Sequence, residues 1–355
     1  LRSIGCFIVY WVAWITVYYI DGPAESWQIF LNLLTELVFF PTFPEDEMER
    51  EKEVVRREMA MYADDPDSVA YQLLMQTLYL KHPCRWPVLG ERAAFDCLTR
   101  QDVLDYHASR YVPNNVVLSI AGDVDAAEIL SHLELLVEDL KSHPLNREPI
   151  PHEPHQFGSR RVRKEFAVPY SKLHLAWRLP CSAHPDTPAL SALSSILGGG
   201  RSARFYEKFH DRLGLVYSIE VHSNQSETDE GAFTISMDVD RAQRDKVRDL
   251  VLQELRNLAE EDFTEDLKRV CKQTRVSRLR RRSSASGVAS EMGADWFGSR
   301  NLNLSSEWQE AIERVTTEDL HRVCSTWLSS PNVTEVSLDP PGSNAGDEER
   351  ASASA

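Results

Sequence analysis

The chain has 355 residues, 42% of them hydrophobic, which is enough for a sizeable core and too many for one typical domain, so two are expected. A formal charge of −16 excludes a general nucleic-acid binder, whose footprint would be basic. The same charge suits an acidic surface or cavity that prefers basic peptides, although charge alone does not select that option.

Residues 4–20 carry no charge and approach membrane-spanning length. Three readings are open: a buried strand pair, since Val, Ile, Tyr, Trp and Thr dominate; a membrane anchor, disfavoured by the short run and the acidic Asp21 at its flank; or sequence foreign to the domain, joined near Thr16. From Asp21 the pattern becomes regular. Helices are expected at about residues 24–38, 45–62, 68–80 and 100–109, with Asp and Glu in the first turn of the second suiting the positive end of its dipole. A strand is expected over residues 115–120 and a helix over 126–140. Residues 142–158 hold Pro144, Pro149, Pro151 and Pro154 and read as a flexible linker. Its His143, His152 and His155 read as solvated rather than metal-binding. Beyond it come strand-like residues 162–179, a helix at 187–196, the run Gly198, Gly199 and Gly200, an alternating strand at 231–239, and helices at 241–260 and 264–282. The glycine run lacks the Gly-Lys-Ser/Thr continuation of a phosphate loop. Residues 340–355 lack anchoring apolar side chains and read as disordered. The domains are thus 1–141 and 159–339.

The helix at 45–62 carries the first chemical signal. Glu51 and Glu58 are about two helical turns apart and project from one face, with Val54 and Val55 between them. Carboxylates on an apolar stripe are costly unless a metal ion or an arginine meets them. A solvated charge run is the plainer alternative. The six cysteines show no CxxC or other ligand spacing and read as buried free thiols of a reducing, cytoplasmic compartment.

The two domains echo one another. Thr99, Asp102, Asn115 and Val116 recur as Thr316, Asp319, Asn332 and Val333, all at an offset of 217 residues. Phe43-Pro44-Glu45-Asp46 likewise echoes Phe263-Thr264-Glu265-Asp266. The common order points to duplication of one α/β unit. In the second copy, Arg275, Arg278 and Arg280 stand on the helix whose first copy bears Glu51 and Glu58.

An ordered series of segments resembles the insulinase/pitrilysin (M16) zinc peptidases, which include the mitochondrial processing peptidase subunits. In the first copy these are Thr16 to Ile20, Phe43 to Glu58, His82-Pro83, Pro87-Val88-Leu89-Gly90, Tyr111-Val112-Pro113-Asn114-Asn115 and Ala121-Gly122-Asp123. In the second they are Ile196-Leu197-Gly198-Gly199-Gly200, Ser202-Ala203-Arg204 and Gly214-Leu215-Val216-Tyr217-Ser218. The resemblance runs from Thr16 to Asp339. It implies an α/β (α+β) fold of two homologous domains, each a mostly antiparallel sheet with helices on one face. It implies Zn2+ as cofactor, a peptide or unfolded protein as substrate, and a second M16 half as homodimer or heterodimer partner; the charge argues against a nucleic-acid partner, and the short, Asp21-flanked apolar run against a membrane one. Glu58 matches the distant zinc-ligating glutamate, and Glu51 the acidic residue one repeat earlier that supports the site. Tyr217 matches a substrate-holding tyrosine; His210 stands where the family often has its arginine, and Arg204 or Arg212 is a substitute. The family's HxxEH motif, which supplies two histidine ligands and the general base, is absent from the 355 residues. Its family spacing from Glu58 puts it ahead of Leu1, so the first domain is expected to be truncated. Two functions follow as expectations: the incomplete catalytic half of a metalloendopeptidase, or a non-catalytic peptide-binding partner subunit.

Overall fold

The computed structural model describes residues 6–12, 15–145, 149–225, 230–328 and 331–341. The chain opens with β1 (Cys6–Val12) and β2 (Ile15–Asp21), an antiparallel pair with Cys6 opposite Asp21. This is the strand-pair reading of residues 4–20, except that β2 is only partly buried. Helices α1 (Trp27–Phe39), α2 (Glu45–Asp64), α3 (Pro66–Leu78), α4 (Arg92–Asp96), α5 (Arg100–Arg110) and α6 (Ala126–Val137) complete the first half. Among the described residues no helix is long and apolar enough to cross a membrane.

The second half contains β3 (Arg160–Glu165), β4 (Ser171–Leu179), α7 (Thr187–Gly198), β5 (Ser218–Asn224), β6 (Gly231–Val239), α8 (Arg244–Asn257), α9 (Thr264–Arg281), α10 (Ala285–Ser299), α11 (Leu304–Glu313), α12 (Thr317–Val323) and β7 (Thr334–Asp339). Its five strands form one sheet in the order β3-β7-β4-β6-β5, in which only β3 and β7 run parallel. Strand alternation explains its two faces. Leu173, Leu175, Trp177 and Leu179 of β4 enter the main core with Leu190, Leu193 and Leu197 of α7 and Val247, Val251 and Leu255 of α8. On the opposite face Ala176, Ala232 and Val336 pack against Leu74, Met75 and Leu78 of α3. Covered on both sides, β4 is buried along nearly its whole length.

The chain condenses into two compact units that do not follow its linear halves. The first comprises residues 1–59, 88–149 and 275–307, and the second residues 60–87, 150–274 and 308–355. Helix α3 thus belongs with the second sheet, while α10 belongs with the first unit. The duplication is visible element by element. Helices α1 and α8 start at Trp27 and Arg244, the offset that also separates Thr99 from Thr316. Helices α5 and α12 open on identical capping boxes, Thr99 with Asp102 and Thr316 with Asp319.

Three expectations need correction. Residues 116–120, expected as a strand, are extended but have no ladder partner among the described residues, whereas β7, their counterpart, lies between two strands. The linker is not a loose strip where it passes the second unit. Buried Glu153 accepts hydrogen bonds from the backbone N–H groups of Leu80, Lys81 and His82 at 2.7, 2.8 and 2.9 Å. Burial pushes its carboxyl up, but these donors and the Arg178 guanidinium hold it below the usual carboxylate range. Of the cysteines, Cys324 is buried and Cys97 is exposed, so burial is not their common state. The expected disordered tail falls, from residue 342 on, outside the described residues.

Candidate functional site

Helix α2 starts after a strained turn. Phe43 has φ 45°, a backbone region unfavourable for a residue with a side chain. Arg100 holds that turn by donating Nε to the Phe43 carbonyl at 2.6 Å and Nη2 to the Thr42 carbonyl at 3.0 Å. The His107 ring lies edge-on to Phe43, stacks on Tyr111, and bonds the Val38 carbonyl at 2.8 Å. Further along, Asp96 bridges Arg56 of α2 and Arg92 of α4, each Nε at 2.8 Å. Those contacts fix the entry and one face of the helix.

The remaining charges of α2 separate into two groups. Glu47, Glu49 and Glu53 pair with Arg50, Lys52 and Arg56 one turn on, as helical spacing favours. Glu51 and Glu58 have no hydrogen-bond or ion-pair partner among the described residues. Glu51 is exposed and Glu58 half-buried. The expected apolar stripe is not a core face: α2 buries no residue, and Val54 is 45% exposed. The cost of burial therefore does not by itself demand a cation at Glu51. What marks the pair is that both stay unpaired on a helix whose other mid-helix carboxylates are neutralised.

The second copy shows the alternative use of the same position. At the offset that aligns Phe43 with Phe263, Glu58 corresponds to Arg278. Arg278 donates to the buried Glu291 at 3.1 Å and to Ser306 at 2.6 Å, and Arg282 joins Glu291 at 2.7 Å. There the position is a structural ion pair.

The residues expected to hold substrate lie in the second unit. Tyr217 directly precedes β5 and is 56% exposed. Its hydroxyl donates to Asp240 at 2.9 Å, which raises its phenol above the ordinary range, and its ring rests against Tyr170. His210 lies on a π-helical turn (Tyr206–Arg212), stacked on Tyr206 and bonded through Nδ1 to Asp211 at 2.7 Å. Arg204 is committed elsewhere: it binds Asp266 and Glu261, donates to the Asp262 carbonyl, and covers the Phe263 ring. Arg212 pairs with Glu207. Among the described residues no hydrogen bond or ion pair joins His210, Arg204 or Arg212 to Tyr217. The glycine run has a packing role at Gly198, where a Cβ would lie 2.4 Å from the Val221 nitrogen, and a turn role at Gly200, with φ +97°.

Sequence reading missed Asp240, the partner of Tyr217, and the polar group behind Tyr170. There Lys172 binds Asp67 at 2.6 Å and Asp238 at 3.1 Å, and buried His174 bonds Ser236 at 2.8 Å. The available signal was the alternation of Lys172 and His174 with Leu173 and Leu175 along β4.

The donors present do not make a zinc site. No group of three or more His, Cys, Asp or Glu side chains able to hold a metal occurs among the described residues. Zinc needs three protein ligands even where a water occupies the fourth position.

The fold is that of M16-like peptidases. A solved protease from Helicobacter pylori superposes with a TM-score of 0.84 at 25% identity, covering 95% of this chain and 82% of that one. Two family models match consecutive stretches: one described as insulinase (peptidase family M16) over residues 14–92, and one described as peptidase M16 inactive domain over residues 98–273. The chain belongs to the M16 peptidase family. Among its relatives are proteins named zinc protease PqqE of Helicobacter pylori, 24% identical over 92% of this chain and 74% of its own length, and uncharacterized zinc protease YmxG of Bacillus subtilis, 25% identical over 87% and 74%.

Proposed function

We propose that this chain is part of the catalytic half of an M16 zinc metalloendopeptidase, with Glu58 its one metal ligand within the 355 residues. Its histidine ligands would come from polypeptide outside them. The observation that carries the reading is the unpaired, half-buried Glu58 on a helix clamped at its entry by Arg100 and along one side by Asp96. An anionic side chain held ready in this way suits a hard or borderline cation better than a solvated surface does. Glu51, one helical repeat earlier, would orient the surroundings of the ligand. Tyr217, with Asp240 fixing its hydroxyl, would contact the peptide substrate.

The test is hydrolysis of an unfolded peptide by the complete protein and its Glu58→Gln variant. A loss of about a thousandfold or more is expected, the scale of removing a metal from such a reaction. Full activity in the variant would remove the assignment. A second reading is a non-catalytic peptide-binding partner subunit. It predicts a metal-free complete protein that still raises the cleavage rate of a partner.

A further inference from the structure

The surroundings of Tyr217 lie within the second unit and hold a carboxylate that no cation among the described residues meets. Tyr217 is fixed by its backbone, whose N–H donates to the Asp238 carbonyl at 2.8 Å. Asp240 directly follows β6 and precedes a short 3-10 turn (Arg241–Gln243), yet its side chain does not cap that turn. Its one side-chain partner among the described residues is the Tyr217 hydroxyl, a neutral donor that occupies a single carboxylate oxygen.

Asp238, two residues earlier, shows how such a charge is otherwise treated. Lys172 meets it at 3.1 Å and the Ser218 hydroxyl at 2.8 Å. The other cations nearby in the fold or the chain are turned away from Asp240. Lys172 is shared between Asp238 and Asp67, and Arg241 donates to the Pro340 carbonyl at 2.9 Å.

The two rings differ in the same way. Tyr170 is half-buried and already has the Lys172 ammonium 5.7 Å from its centroid. Tyr217 leans on Tyr170 at a centroid distance of 5.2 Å and a tilt of 36°, but remains 56% exposed, with no cation over it among the described residues. An open phenol face attracts a cation, and an ionised carboxylate at its rim does so too. A guanidinium satisfies both, because it is flat enough to stack and its forked donors fit a carboxylate; an ammonium offers only a point charge.

We infer that Asp240, with the Tyr170–Tyr217 ring pair, determines specificity at the substrate position beside Tyr217 by taking an arginine side chain of the bound peptide. This rests on the reading that Tyr217 contacts substrate, and it is independent of zinc. The formal charge of −16 acts in the same direction, by drawing cationic peptides from solution.

The experiment measures binding of two fluorescein-labelled unfolded peptides to the 355-residue chain by anisotropy. They share a sequence of Leu, Ser and Gly around one central residue, which is arginine in the first and its uncharged isostere citrulline in the second. The arginine peptide should bind about fivefold more tightly, the scale of one exposed ion pair plus one exposed cation–π contact. High salt should narrow that ratio. Asp240→Asn keeps an acceptor for the Tyr217 hydroxyl but removes the charge, and should abolish most of the preference; Tyr170→Leu should reduce it in part. A merely structural Asp240 would change both affinities together and leave their ratio intact. Equal binding of the two peptides to the wild type, or an arginine preference that survives Asp240→Asn, would overturn the inference while leaving Tyr217 in contact with substrate. Binding of neither peptide would remove both the inference and that contact. Zinc content does not enter the measurement, so an arginine preference in a metal-free protein would leave the inference standing whatever becomes of the peptidase reading.

Discussion

Helices α1 and α8 are counterparts with different fates. On α8, Val247, Val251 and Leu255 are sealed beneath a five-stranded sheet; on α1, Phe30, Leu34 and Val38 meet a two-stranded one and stay half-buried. Positions Glu58 and Arg278 differ in the same sense. The arginine is absorbed into an ion pair with Glu291, and the glutamate is left without a partner. One copy of the duplicated unit is closed and structural; the other presents an open edge and an unpaired carboxylate. What the scaffold keeps constant is the local framing of its helices, as the matched capping boxes show.

The sharpest way to break that comparison is a paired deletion. Leu255→Ala should cost about 3 kcal/mol, since it leaves a cavity in a close-packed core. Leu34→Ala in the 355-residue chain should cost about 1 kcal/mol or less, because its surroundings are already partly solvated. Urea unfolding of both variants measures the difference, and equal costs would mean the two units are equally packed. Next in size is the linker clamp. Glu153→Ala would strand three backbone N–H donors and leave Arg178 without this neighbour, and should lose about 2 kcal/mol; Glu153→Gln, which keeps one acceptor, should lose less.

One pH effect belongs to the second unit. Burial, with Lys172 nearby, lowers the His174 imidazole to about 4, against the opposing pull of Asp67 and Asp238. A folded pKa below the ordinary value means that the neutral ring is the native form. Its stabilisation is complete above the ordinary 6.5 and is lost as pH falls from there towards 4. Unfolding midpoints measured across that window should decline, and His174→Asn should flatten the decline. The smallest effect is common to both copies: Thr99→Ala and Thr316→Ala should each cost about 1 kcal/mol by thermal melting. A large inequality would show that one box carries more than helix capping.

Much of this organisation was legible in the chain. The helices from α1 to α3 and from α7 to α9 announced themselves through caps, periodicity and punctuating Gly and Pro. The family resemblance rested on short ordered segments such as Phe43 to Glu58 and Gly214 to Ser218, and the matched family models cover both regions. The assignment of α3 to the second sheet and of α10 to the first unit was not legible, because periodicity reveals that a helix has an apolar face but not which sheet receives it. Residues 116–120 misled for a related reason: their alternation is that of a strand, but pairing depends on a neighbour the segment does not contain. The valines between Glu51 and Glu58 suggested a buried stripe, and Val54 proved exposed. Arg204 looked available for substrate from its motif, and only the fold reveals Asp266 and Glu261 against it.

The most direct measurement is the zinc content of the complete polypeptide, purified as wild type and as Glu58→Gln, with folding of both checked by circular dichroism. The expected result is about one zinc per chain in the wild type and none retained by the folded variant, as a three-ligand site requires. Full zinc occupancy in Glu58→Gln, or a metal-free wild type, would contradict it.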